Sequence, residues 1–223
     1  MPIIEYKPLP PPRKGDRLFR DDLPDFCNNA RLKPWGDDGQ TAYTEGYLRG
    51  ATALVAHVLA AGGHEKHFLV YPIIFLYQHH LELALKRIIR RAPRLLRRKL
   101  TGAERSHLDK HRLDLLWQDL KPMFTEVFKS VGWERPDQAD VEGVDDYICQ
   151  ISELAPDGFA WRYAHSKEGN RSLPKDSKPI NLRHFAEMMD RLVSYIDGID
   201  TATSAVEEWQ DEMEAEYGHN CDD

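Results

Sequence analysis

The sequence has few cysteines and lacks the short motifs of several common enzyme chemistries. Its three cysteines, Cys27, Cys149 and Cys221, are scattered and show no CxxC spacing. This usage is typical of reduced thiols in a cytoplasmic protein. No glycine-rich phosphate loop, GxSxG nucleophile elbow or dinucleotide fingerprint is present. These absences argue against a disulfide scaffold and against the common nucleotide-binding and serine-hydrolase folds.

Long apolar stretches and metal-ligand motifs are also missing. No apolar run approaches the about 18 residues of a membrane span, and the first residues show no basic start leading into an apolar signal core. The ten histidines include spacings that suit a metal, but none is matched by a second motif of the same kind. We therefore expect a cytoplasmic protein with no membrane contact, no bound metal and no cofactor.

The sequence also lacks internal repeats and the alternation of apolar and polar residues that is typical of β-strands. Helical periodicity, in contrast, is widespread. The pattern predicts helices over about 40–61, 68–91, 108–128, 138–154 and 182–217. We expect an all-α fold, a helical bundle of about five main helices. Its expected parts are a Pro-rich N-terminal arm at 1–36, the bundle at 37–200, and an acidic C-terminal helix extension and tail at 201–223.

The stretch 68–91, FLVYPIIFLYQHHLELALKRIIRR, is apolar on nearly every face. This pattern predicts a buried central helix. At about 100° per residue, His79, Glu82 and Lys86 lie on one line along it. Two interpretations stay open: a core histidine beside an ordinary Glu82–Lys86 ion pair, or a functional site.

A long loop at 155–179, rich in glycine, proline, asparagine and serine, offers a partner for that line. It holds Arg162 between aromatic residues, and His165 follows shortly after. A guanidinium in such a setting suits planar recognition of carboxylate or phosphate. We expect Arg162 to pack over the central helix and to pair with Glu82. The pair either holds the loop or belongs to a site where His79 or His165 transfers protons.

Charge is distributed unevenly along the chain. Residues 86–112 contain eleven Lys and Arg but only two Asp and Glu, whereas residues 187–223 contain twelve Asp and Glu but one Arg. Either the basic segment binds phosphates or an acidic partner protein, or the acidic tail of the same chain or of a second copy neutralises it. The candidate RNA-binding residues of the basic segment are Arg90, Arg91, Arg94, Arg97, Arg98 and Lys99.

The last predicted helix carries apolar residues at alternating steps of three and four, a pattern typical of a coiled-coil seam. The seam residues are Leu182, Phe185, Met189, Leu192, Ile196 and Ile199. We expect this long acidic helix to form a homodimer.

Two patterns together resemble bacterial helical proteins related to the HEPN superfamily, over roughly residues 68–200. They are Tyr77-x-His79-x-x-Glu82-Leu-x-Leu85-Lys86 and, much later, Phe159-x-x-Arg162-Tyr163 with Lys167-x-Gly169-Asn170. The resemblance implies a helical bundle that dimerises. It also implies either a metal-independent ribonuclease of toxin–antitoxin, phage-defence or CRISPR systems, or a non-catalytic relative.

For a ribonuclease, the resemblance implies that a histidine moves a proton and an arginine stabilises the phosphate during 2′-hydroxyl attack. Arg162 with His165 is the first candidate pair, supported by His79 and Glu82, and Arg105 with His111 is the second. The alternative function is a non-catalytic helical interaction module that organises a dimer or binds a partner protein.

Overall fold

The chain divides into two compact units, Met1–Lys33 and Pro34–Asp223. The computed structural model describes residues 10–19, 22–30, 32 and 40–219. Within the first unit, a short 3-10 helix spans Phe26–Asn28. Asn29 closes this segment locally, since its Nδ2 donates a hydrogen bond to the Asp22 carbonyl oxygen at 2.9 Å. Parts of the predicted arm and the end of the predicted tail lie outside the described residues.

The second unit is a bundle of α-helices, which confirms the all-α prediction. Its described residues form seven α-helices and no strand: α1 Gln40–Ala61, α2 Lys66–Leu95, α3 Gly102–Leu108, α4 Leu113–Ser130, α5 Gln138–Leu154, α6 Phe159–Arg162 and α7 Leu182–His219. The helix α2 contacts α1, α4, α6 and α7. It is therefore the central helix, as the sequence predicts.

Burial explains why α2 is apolar on nearly every face from Ile73 onward. Leu85, Ile88 and Ile89 are fully buried in the main core, which α1, α4, α5 and α7 complete. The expectation that no stretch suits a membrane span needs correction. In the described part of the chain, α2 alone is long and apolar enough for one, and half of the relevant window is buried inside the protein. A helix surrounded by other helices needs the same apolar surface as one surrounded by lipid.

The helix α7 runs for 38 residues, which corresponds to about 57 Å. Its predicted seam faces the protein's own core, because Met189, Leu192 and Ile196 are buried there beside residues of α2 and α4. The seam is therefore not free to pair with a second copy, and the proposed dimer interface on it is wrong. The homodimer itself stays a prediction.

The acidic half of α7 lies along the basic half of α2. We call these contacts the α2–α7 ion-pair ladder. It consists of Arg87–Asp200 (2.6 Å), Arg91–Asp200 (2.7 Å), Arg91–Glu207 (3.1 Å), Arg94–Glu207 (2.8 Å), Arg94–Asp211 and Arg97–Glu214 (3.6 Å). The structure therefore agrees with the interpretation that the acidic C-terminal helix neutralises the basic segment of the same chain.

Asp200 is the inner carboxylate of this ladder, and its loss should destabilise the bundle. It binds both Arg87 and Arg91, and all three side chains are largely buried. We expect Asp200→Ala to lower the free energy of unfolding by about 2 kcal/mol, because the poorly hydrated guanidinium of Arg87 loses its carboxylate and that of Arg91 keeps only Glu207. Urea denaturation measures the change.

Glu214→Ala is the matched control, since the Arg97–Glu214 pair is long and both side chains are exposed. We expect it to change the free energy of unfolding by less than about 0.5 kcal/mol. Equal effects of the two substitutions would contradict the assigned difference between the buried and exposed ends of the ladder.

Candidate functional site

Glu82 is a buried carboxylate held by three neighbours. Only 7% of its side chain is exposed, and Lys86 Nζ donates to its Oε1 at 2.8 Å. His111 Nδ1 lies 2.9 Å from the same oxygen, and His79 Nδ1 lies 3.4 Å from Oε2. An ionised carboxylate only accepts hydrogen bonds, so each histidine presents an N–H at Nδ1. Each ring therefore keeps Nε2 for other chemistry.

The environment keeps Glu82 ionised. Burial by itself raises the pKa of a carboxyl group, but hydrogen bonds from His79, Lys86 and His111 and the charge of Lys86 outweigh burial and lower the pKa of Glu82 to about 2. A permanently charged Glu82 fixes the orientation of two imidazoles, as carboxylates do for catalytic histidines.

Glu82 lines a small cavity that we call the inner pocket. Its volume is about 40 Å³, and its lining residues are Phe75, Gln78, His79, Glu82, His111, Asp157, Gly158 and Arg162. Gln78 is buried, and its Oε1 has no hydrogen-bond partner in the described structure. The inner pocket thus combines proton-transfer groups with a buried acceptor that lacks a donor.

Contacts of Gln78 and Ile74 fix the segment that carries Arg162 against α2. Gln78 Nε2 donates to the carbonyl oxygen of Ala155 at 3.1 Å, and Trp161 packs in a small cluster with Ile74. Gly158 has φ +67°, and a Cβ there would lie 3.4 Å from the Gln78 side-chain amide. Glycine suits this position because it adopts positive φ and allows close approach.

Arg162 packs over the central helix, as predicted, but its predicted ion pair with Glu82 is wrong. Its guanidinium carbon lies 5.5 Å from the centroid of Phe75 and 5.7 Å from that of Tyr163. Within the described structure, the Glu82 carboxylate is bound instead by Lys86, His79 and His111. The guanidinium of Arg162 is therefore not committed to that carboxylate.

Arg162 also lines a second, larger cavity that we call the outer groove. The volume of this groove is about 580 Å³, and its lining residues are Tyr71, Ala160, Trp161, Arg162, Tyr163, Ala164, His165, Arg171, Leu173, Pro174, Lys175 and Ser177. Among the described residues, this lining contains two arginines, a lysine and a histidine but no carboxylate. The outer groove is a basic and aromatic surface, and Arg162 joins it to the inner pocket.

A small hairpin in the 155–179 loop places cations in the outer groove. Ser166 N donates to Asn170 O at 2.7 Å, and Ser172 N donates to Ala164 O at 3.0 Å, so His165 and Arg171 lie opposite each other. His165 therefore lines the outer groove beside Arg162. It does not line the inner pocket, where His79 and Glu82 lie.

None of the six candidate RNA-binding residues is among the described residues that line the outer groove or the inner pocket. Arg91, Arg94 and Arg97 belong to the ion-pair ladder, and Arg98 binds Glu104 at 2.8 Å. Arg90 and Lys99 are exposed. An RNA phosphate at the four paired arginines would compete with their carboxylates, which favours the outer groove as the anion-binding surface. The RNA-binding role of the six residues stays a prediction.

His111 is the site residue that the sequence pattern does not connect to Glu82. The sequence suggests it through its spacing from Arg105 and, as a possible metal ligand, from His107. Arg105 is exposed and lines neither cavity. The sequence feature that indicates such a partner is Glu82 itself, because a buried carboxylate in an apolar helix requires hydrogen-bond donors from other parts of the chain. Across the described ranges, no group of three or more His, Cys, Asp or Glu side chains is arranged to hold a metal ion.

The fold and the site define a class: an all-α protein in which a basic, aromatic groove adjoins a buried carboxylate with two histidines. Comparison with known proteins finds no matching family model, curated protein or solved structure. The functional conclusion therefore depends on the chemistry of the two cavities.

Proposed function

We propose that the protein is a HEPN-like RNA-binding protein and metal-independent ribonuclease. The observation that carries this proposal is that Arg162 lines both the basic outer groove and the inner pocket with its two histidines. A phosphate held by Arg162 in the groove would lie at the entrance of the pocket. One residue thus links binding to proton transfer.

The outer groove supports the RNA-binding part of the proposal. Arg162, Arg171 and Lys175 offer positive charge to phosphates, and Tyr71 and Tyr163 offer rings to bases. Cationic grooves with aromatic side chains are typical of proteins that bind single strands. The described lining residues include no carboxylate, which favours an anionic ligand further.

The inner pocket supports the catalytic part. In this mechanism the ribose O2′ attacks the adjacent phosphorus, and one of His79 and His111 accepts the hydroxyl proton at Nε2. The O2′–P bond forms and the P–O5′ bond breaks. The other histidine, protonated at both ring nitrogens at the start of the step, donates its Nε2 proton to the departing O5′. Glu82 orients both rings, and Arg162 stabilises the charge on the phosphate oxygens. His165, which lines the outer groove, binds the phosphate backbone in this scheme.

Salt-dependent RNA binding tests the proposal. We expect a fluorescently labelled RNA oligonucleotide to bind, and Arg171→Ala/Lys175→Ala to weaken binding about 10-fold or more at low salt. The slope of log affinity against log salt should fall by about 1.4, because each lost contact with a single strand removes about 0.7. Fluorescence anisotropy over a salt series measures both quantities, and cleavage is followed in EDTA.

The control variant is Arg49→Ala, because Arg49 is an exposed residue on α1 and lines neither cavity. It should bind RNA like the wild type. Absence of both salt-sensitive binding and cleavage in the wild type would overturn the proposal and favour the non-catalytic interaction module.

A further inference from the structure

Exposed aromatic rings continue along α2 beyond the outer groove. Phe68 is 74% exposed and Tyr71 is 45% exposed. Together with Phe75 they lie within an arc of about 60° on the helix surface, since they occupy positions i, i+3 and i+7. Aromatic side chains exposed in a row on one face of a helix indicate a contact surface.

This row of rings leads to Arg162. Tyr71 lines the outer groove, and Phe75, one turn further along α2, lies under the guanidinium of Arg162. Phe75 also stacks on His79, with ring centroids 5.6 Å apart and planes within 9° of parallel. Phe68 and Tyr71 therefore precede, on the same face, the stack that ends at the inner pocket.

The charge beside the row identifies the kind of ligand that fits it. Arg162, Arg171 and Lys175 line the groove that Tyr71 also lines, and no carboxylate belongs to this lining in the part of the chain that the structure describes. A nucleic-acid strand supplies both complementary parts, because its phosphates are anionic and its bases offer aromatic faces. An apolar protein helix would leave the cations of the groove without partners.

We infer that this surface binds a single strand of RNA, with two successive bases stacked on Phe68 and Tyr71 and the next phosphate at Arg162. This inference rests on the proposed function and specifies its substrate class. Phe68, Tyr71 and Phe75 follow one another along the helix axis at backbone rises of about 4.5 and 6 Å. Those steps exceed the about 3.4 Å between neighbouring bases of a duplex strand, so bases that each stack on one of these side chains cannot keep the stacking of a duplex.

Three labelled ligands test the inference: an RNA oligonucleotide of about ten nucleotides, the same backbone with abasic sites, and a duplex of equal length. We expect the wild type to bind the single strand at least about 10-fold more tightly than the duplex. Phe68→Ala and Tyr71→Ala should each weaken single-strand binding about 10-fold, and the double variant about 100-fold. Binding of the abasic strand should stay unchanged, and tryptophan at both positions should restore affinity.

Trp209→Ala is the matched control, because Trp209 is a half-exposed aromatic residue beside Leu95, at the other end of α2. It should leave all three affinities unchanged. If the wild type binds none of the ligands, the proposed function fails. Two results with a wild type that binds RNA would contradict only this inference. One is a double variant whose single-strand affinity falls less than about twofold, and the other is a duplex that binds as tightly as the single strand. If Phe68→Ala converted a dimer to a monomer and left the RNA affinity unchanged, the exposed rings would be a contact surface for a second copy of the chain. That result would also overturn the inference.

Discussion

Replacement of Glu82 by glutamine is expected to destabilise the protein by about 3–5 kcal/mol. The Lys86 side chain is only 9% exposed, and its ammonium group is bound to Glu82. Glutamine keeps the size of the side chain but removes the negative charge, so Lys86 would remain buried without a counter-charge. Chemical denaturation followed by circular dichroism measures the loss.

The same residue should make stability depend on pH in acid. The pKa of Glu82 falls from 4.5 to about 2 on folding, so the unfolded chain binds more protons between these two values. The contribution of Glu82 is therefore complete above about pH 4.5 and is lost as the pH falls towards 2. The shift corresponds to about 3 kcal/mol, and Glu82→Gln should lack this part of the acid dependence.

Two further variants separate charge burial from general damage. Glu82→Gln/Lys86→Met removes both charges and should recover much of the lost stability, because a neutral pair has no buried unpaired ion. Glu142→Gln, at an exposed position of α5, should stay within about 0.5 kcal/mol of the wild type. A Glu82→Gln variant as stable as Glu142→Gln would show that water reaches the inner pocket and neutralises the effect.

The helices were largely predictable because local rules determine them. The predicted limits of α1 and α5 agree with Gln40–Ala61 and Gln138–Leu154, since apolar periodicity covers each helix fully. The predicted helix at 108–128 was less accurate, because α3 ends at Leu108 and α4 begins at Leu113. Thr101 and Glu104 form a capping box at the start of α3, and this residue pair marks a helix start in the sequence.

The site was predictable only where its contacts are local. The Glu82–Lys86 pair follows from a spacing of four on a helix, and the position of Arg162 over α2 follows from the loop's aromatic residues. His111 reaches Glu82 across 29 positions, and that contact depends on how α2 packs beside the α3–α4 connection. Likewise, a seam of apolar residues on α7 indicates burial but does not say whether the same chain or a second copy covers it.

Removal of the Arg162 guanidinium is expected to lower RNA cleavage by a factor of about 10²–10³, the usual effect of removing a donor to a developing negative charge. Arg162 is exposed, forms no ion pair with Glu82 and lies on Phe75. Its loss should therefore cost little stability, about 1 kcal/mol or less. Initial rates with a labelled RNA, together with thermal unfolding of the same samples, separate these two effects.

Variants of the inner pocket distinguish the proposed chemistry from simple phosphate binding. Arg162→Lys keeps the charge but loses the planar fork, so it should recover affinity more fully than the rate of cleavage. His79→Ala and His111→Ala should bind RNA normally but cleave it at least about 100-fold more slowly, because each removes one proton-transfer group. If Arg162→Ala cleaved at the wild-type rate while His111→Ala did not, the phosphate would have to bind a different cation. The groove and the pocket would then not act as one site, because Arg162 is the residue that joins them.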